Sequence, residues 1–179
     1  MSTPFTLFNA GRVVGGAGSL AQLPALAAEF GAKRVLVISD KGVAAAGLVE
    51  PARAALAAAG LSVQVVDNTP PEPEVNDVEA VLAAARVGGD CDLVVGIGGG
   101  SAMDVAKIVA VLLKHPVSLR ALLDKSVAIP ARGLPNIMVP TTSGTGSEAT
   151  PNSIILVPED ALKVGIVSPL LMPDVVILD

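Results

Sequence analysis

The sequence predicts an α/β fold: a mostly parallel sheet covered by helices on both faces, with a β-hairpin added. Three observations carry this prediction. Short apolar runs alternate with alanine-rich helical stretches along most of the chain. Several of those runs are apolar throughout, the pattern of strands buried on both faces. One pair of segments, 153–156 and 162–167 around Pro158-Glu159-Asp160, reads instead as two strands joined by a turn.

The elements follow in order. Val13-Val14 marks a very short strand, and residues 20–30 form a helix with Ser19 placed to cap it. Residues 34–38 form a buried strand ending at Ser39-Asp40. Residues 50–59 are an alanine-rich helix stopped by Gly60. Residues 61–66 alternate as a strand and run into Pro70-Pro71-Glu72-Pro73, which must turn. Residues 75–87 form a helix closed by Gly88-Gly89. The strand at 92–97 leads into a helix over 101–113, and the strand at 136–139 leads into a loop rich in Thr and Gly. Residues 175–178 are the last strand. With 179 residues and neither a repeat nor a low-complexity linker, residues 1–179 are expected to be one domain.

Composition excludes several functions. The net charge is −5, no basic run exists, and the aromatic residues are three Phe without Trp or Tyr, which disfavours nucleic-acid binding. Mean hydropathy is high at +0.66, yet Lys107 interrupts the longest apolar stretch, so no membrane span is expected. The first residues lack the pattern of a signal peptide. Cys91 is the single cysteine, which suits a reducing, cytoplasmic setting without disulfides. His115 is the single histidine and sits at a helix end before Pro116, so a His/Cys metal site or a Ser/His/Asp triad lacks its parts.

Two segments carry the chemistry. Gly98-Gly99-Gly100-Ser101 lies between a strand and a helix, where glycines admit a phosphate close to the backbone and the helix offers free N–H groups. Ser101 and Asp104 also fit a capping box, and Lys107, a turn later, fits the outer face of the helix. The loop after the strand at 136–139 sets Thr141, Thr142, Ser143, Thr145 and Ser147 within seven residues. Such hydroxyls suit a ribose, carboxamide or phosphate, or a loop that caps itself. Gly16-Ala17-Gly18-Ser19-Leu20-Ala21 is a competing cradle of the form G-x-G-x-x-A, weakened by its short preceding strand. Asp40 stands where a carboxylate would accept from an adenosine ribose and repel a 2′-phosphate; it equally fits an N-cap for the turn at Lys41-Gly42.

Residues 98–107 match the GGGSxxDxAK signature, and residues 140–148 the PTTxGTGSE signature, of the iron-containing (group III) alcohol dehydrogenases, which the whole chain resembles. The resemblance implies a Rossmann-like domain that binds NAD, with NADP less favoured because of Asp40. It implies that Gly98, Gly99, Gly100 and Ser101 contact the pyrophosphate and that Thr141 and Thr142 contact the adenine and central portions. It places Ser147 towards the nicotinamide and Lys163 at the nicotinamide ribose. Glu72 stands where many family members have Asn. The family's metal ligands for Fe²⁺ or Zn²⁺, one Asp and three His, would all fall beyond Asp179, so no metal and no catalytic group is expected within this chain. The resemblance further implies hydride transfer between a small alcohol or aldehyde and nicotinamide in the whole enzyme. It also implies a chain inactive without the metal-binding domain as its partner, and a homodimer paired through residues 5–8. The alternatives are a stand-alone nucleotide-binding or interaction module and a fragment of a dehydroquinate synthase-like lyase.

Overall fold

The computed structural model describes residues 9–179. Its strands are β1 (Arg12–Gly15), β2 (Arg34–Ile38), β3 (Ser62–Val66), β4 (Leu93–Gly98), β5 (Asn136–Pro140), β6 (Asn152–Val157), β7 (Leu162–Val167) and β8 (Val175–Leu178). Its α-helices are α1 (Leu23–Glu29), α2 (Lys41–Ala45), α3 (Glu50–Ala58), α4 (Val75–Val87), α5 (Gly100–Lys114) and α6 (Leu119–Leu123). Among these residues, six strands form one parallel sheet in the order β1-β8-β5-β4-β2-β3, and β6 and β7 pair antiparallel as a separate hairpin. The expected fold class is borne out: a Rossmann-like sheet with a hairpin. The segment 5–8, expected to pair across a twofold, lies outside the described residues.

The alternation of side chains across each strand divides the core in two. Leu36, Ile38, Val94 and Met138 face α4, α5 and the hairpin, whereas Val35, Val37, Val95, Ile97, Ile137 and Ile177 face α1 and α3. β4 sits between β5 and β2 and is buried along its whole length. That is why its sequence is apolar without alternation. Gly96 makes this packing possible, because a Cβ there would lie 2.7 Å from Met138 Sδ and 2.8 Å from Ala106 Cβ.

Three local expectations change. The helix expected over 20–30 is split into a 3₁₀ turn over Ser19–Gln22 and the α-helix α1. Pro24 is the reason: it lacks an N–H and is accommodated only in a first turn, so the α-helix starts at Leu23. Ser19 makes no capping bond and its hydroxyl is buried without a partner. The Gly16–Leu20 turn already holds an anion, since Gly18 N and Leu20 N donate to the two carboxylate oxygens of Asp179 at 2.8 and 2.9 Å. The competing cradle is thus occupied by the chain itself.

A second carboxylate works the same way at the opposite end of the strands. Asp92 accepts from Lys33 N and Arg34 N, both at 2.9 Å, and these bonds hold its carboxyl below the usual aspartate value of 3.8. Asp179 is lowered likewise by Leu20 and Gly18. A depressed folded pKa gives stability that is fully present above the unfolded value and lost as pH falls through the folded one. Urea midpoints of Asp92→Asn and Asp179→Asn should therefore lie below wild type at neutral pH. They should converge with it once the pH falls well below 3.8. A constant offset at every pH would refute this assignment.

Candidate dinucleotide site

The strand order places β3 on one side of β2 and β4 on the other, so the order in which strands are added to the parallel sheet reverses between β2 and β4. Such a switch point opens a crevice at the carboxyl ends of the strands. Here Ser39 is fully buried, and its hydroxyl donates to Ile97 O at 2.7 Å, tying the two strand ends together. Asp40 follows directly. It caps α2 by accepting from Val43 N through Oδ1 at 2.9 Å, while Oδ2 lies toward Gly98.

Gly98 closes β4 with a positive φ of 150°, and a Cβ there would meet Ala102 Cβ at 2.8 Å and Asp40 Oδ2 at 3.2 Å. Glycine alone suits this position. α5 then begins at Gly100 with Gly99 as its N-cap, a residue with no side-chain acceptor. The capping box expected for Ser101 and Asp104 does not form, because the helix starts one residue early and puts Ser101 inside its first turn. The first N–H groups of α5 therefore face the crevice without a side-chain cap.

Two cavities adjoin at this point. One is lined by Asp40, Pro71, Gly99, Gly100, Thr141 and Thr142 and has a volume of about 220 Å³. The other, of about 280 Å³, is lined by Glu72, Gly100, Ser101, Thr145, Ser147 and Lys163, among others. Gly100 and Ser101 line both. Of the residues expected to contact the cofactor, all but Gly98 line one of these two adjoining cavities, with Asp40 at one end, Gly99 and Gly100 in the middle and Lys163 at the other end; Gly98 lies behind them, against Asp40 and Ala102.

Asp104 and Lys107 depart furthest from expectation. Neither serves as a cap or as helix surface: Asp104 is 7% exposed and Lys107 1%. α5 is buried on nearly every side between the sheet, α4 and the hairpin, so it has no outer face for a lysine. Lys107 Nζ lies 2.9 Å from Asp104 Oδ1 and donates to Ser147 O at 2.9 Å. Ser147 Oγ donates to Asp104 Oδ1 at 2.5 Å, Ile154 N donates to Oδ2 at 3.1 Å, and Ser153 Oγ donates to Asp104 O at 2.9 Å. Burial pushes the Lys107 ammonium below the usual lysine range, against the pull of Asp104. The network fastens the hydroxyl-rich loop and β6 to α5. Ser147 lines the cavity, but its hydroxyl is committed to Asp104. The available signal was that Lys107 is the one charge in a run otherwise apolar on every helical face.

His115 ends α5, and its Nε2 lies 2.9 Å from Arg132 O, a local tie near the other end of the strands. Among the described residues no three His, Cys, Asp or Glu converge where a metal could sit.

The comparison with known proteins decides the family. The family model for iron-containing alcohol dehydrogenase matches residues 10–179. The chain belongs to the iron-containing alcohol dehydrogenase family. This iron-containing dehydrogenase chain is 40% identical over 166 residues to long-chain-alcohol dehydrogenase 1 of Geobacillus thermodenitrificans, covering 92% of this chain and 41% of that protein. It is 39% identical to 4-hydroxybutyrate dehydrogenase of Cupriavidus necator, over 90% of this chain and 42% of that protein. The crystal structure of sulfoacetaldehyde reductase from Bifidobacterium kashiwanohense in complex with NAD⁺ superposes with a TM-score of 0.89 at 30% identity, over 99% of this chain and 46% of that one. The chain therefore spans less than half the length of these relatives.

Proposed function

We propose that this chain is the NAD(H)-binding domain of an NAD-dependent alcohol dehydrogenase of the iron-containing family. The observation that carries the reading is the amino end of α5, capped only by glycine and opening on the crevice between Asp40 and Lys163. A diphosphate fits there because it supplies the negative charge that the helix end favours. Asp40 would accept from the hydroxyls of an adenosine ribose and would repel a 2′-phosphate. Thr141 and Thr142 would line the adjoining wall. Ser101 and Thr145 would flank the passage to the far cavity, where Lys163 stands beside the second ribose. The bound nicotinamide would supply a hydride acceptor or donor at C4, and this chain's part is to hold and orient it. Relatives of this family act on alcohols and aldehydes, and the whole enzyme is proposed to do the same with a small substrate of that class. The chain by itself is expected to bind the dinucleotide without oxidising alcohols.

Calorimetric titration tests the reading. NAD⁺ is expected to bind at least about tenfold more tightly than NADP⁺, since a 2′-phosphate set against the Asp40 carboxylate brings like charges together, which costs more than about 1.4 kcal/mol. Asp40→Ala should narrow the gap. It should also lower stability by about 1 kcal/mol through loss of the α2 cap. Equal affinity for both nucleotides in wild type, or metal-dependent alcohol oxidation by the purified chain, would count against the proposal.

A further inference from the structure

The Pro70–Glu74 turn and the hairpin hold two opposite charges face to face across the far cavity. The backbone fixes this juxtaposition. Leu156 N donates to Pro73 O at 2.9 Å, and Leu156 pairs with Lys163 in the hairpin register. Glu72 precedes Pro73, so it stands opposite Lys163, and its carboxylate forms a close ion pair with that ammonium. Glu72 N also donates to Ser101 Oγ at 3.3 Å, which anchors the turn to the glycine cradle. Glu72 has a φ of 52°, a left-handed conformation that a glutamate seldom adopts, and this sets the direction of its side chain. Both side chains stay more than half exposed, at 65% for Glu72 and 53% for Lys163. The pair is therefore one that water and salt can open.

We propose that Glu72 is an internal counter-ion for Lys163 and sets how tightly the crevice takes an anionic dinucleotide. The proposal rests on the dinucleotide reading of the crevice. Lys163 is the cation that lines the far cavity, and Glu72 neutralises it from across the mouth. A dinucleotide reaching that half must draw Lys163 away from Glu72 and settle its diphosphate beside Ser101, which the carboxylate-bearing turn touches. Both requirements weaken binding, and both vanish when the carboxylate is replaced by an amide. The far half of the crevice is thereby tuned by a residue that contributes no contact of its own.

NAD⁺ titration of the full chain tests this with five variants. Glu72→Gln should bind NAD⁺ more tightly than wild type near 0.1 M salt, by a factor between about 1.5 and 5, the range that one exposed ion pair gives. The advantage should close near 1 M salt, where the screening length falls to about 3 Å. In a Lys163→Ala background, Glu72→Gln should give no gain. Glu72→Asn should match Glu72→Gln in affinity, although Asn accepts the left-handed backbone more readily. A gain that persists at high salt, survives in the Lys163→Ala background or occurs only with Asn would overturn the counter-ion role. Gly100→Val separates this from failure of the crevice reading. If Gly100→Val abolishes NAD⁺ binding but Glu72→Gln matches wild type, the counter-ion role alone is wrong. If Gly100→Val binds like wild type, the crevice assignment falls, and the counter-ion role with it.

Discussion

Lys107→Met is expected to cost about 3–5 kcal/mol of stability, the penalty for removing one partner of a buried ion pair. In a chain of this length the midpoint of thermal unfolding should fall by on the order of 10 °C. The mechanism is specific. Without the ammonium, Asp104 keeps a carboxylate that is almost wholly buried and loses its counter-charge, while Ser147 O loses a donor. Adding Asp104→Asn should recover a large part of the loss, because Asn still accepts from Ile154 N without burying a charge. An exposed lysine would predict a change within about 0.5 kcal/mol, and such a result would remove the network from the list of what holds this fold. The same variant should loosen the Thr141–Ser147 loop, read as faster amide exchange there than in β4.

Gly100→Val should reduce NAD⁺ affinity by about 100-fold or more, near 2.7 kcal/mol, with little change in melting temperature. Gly100 lines both cavities, so a branched side chain there stands in the passage that a dinucleotide must cross. Its Cβ would lie about 3.0 Å from the Thr145 side chain, which is exposed and can rotate away, so the fold has room to adapt. Gly98 is a poorer test, since a side chain there meets Ala102 and strains the backbone as well. Calorimetry on Gly100→Val beside its unfolding curve separates the two effects. Retained affinity in a folded variant would remove the cradle from the crevice.

How far the sequence could be read follows from which forces are local. β4 and β2 are legible because full burial leaves an unbroken apolar run, and α4 is legible because Gly88 closes it. The positions along the crevice were legible because glycines and hydroxyls at strand ends have few other uses. Asp104 and Lys107 were misread because i, i+3 spacing at a helix start is also what a cap and a surface residue look like. Only the arrival of β6 and the Ser147 loop over α5 makes them a core pair. The turn at Gly16–Leu20 was ambiguous for a similar reason: its anion comes from Asp179, far away in the chain. Pro24 was the one local sign that a single helix over 20–30 could not be right.

The burial of α5 on all sides has a consequence for changing what this protein binds. The helix that presents the cradle is also the post against which the sheet, the hairpin and the hydroxyl loop are braced. Substitutions along its buried length, Ala102 to Leu112, disturb the core together with the cradle it carries. Asp40 and Glu72 stand on short turns at the rim, outside that brace. Cofactor preference can drift or be redesigned from the rim, while the floor of the crevice stays as the fold requires.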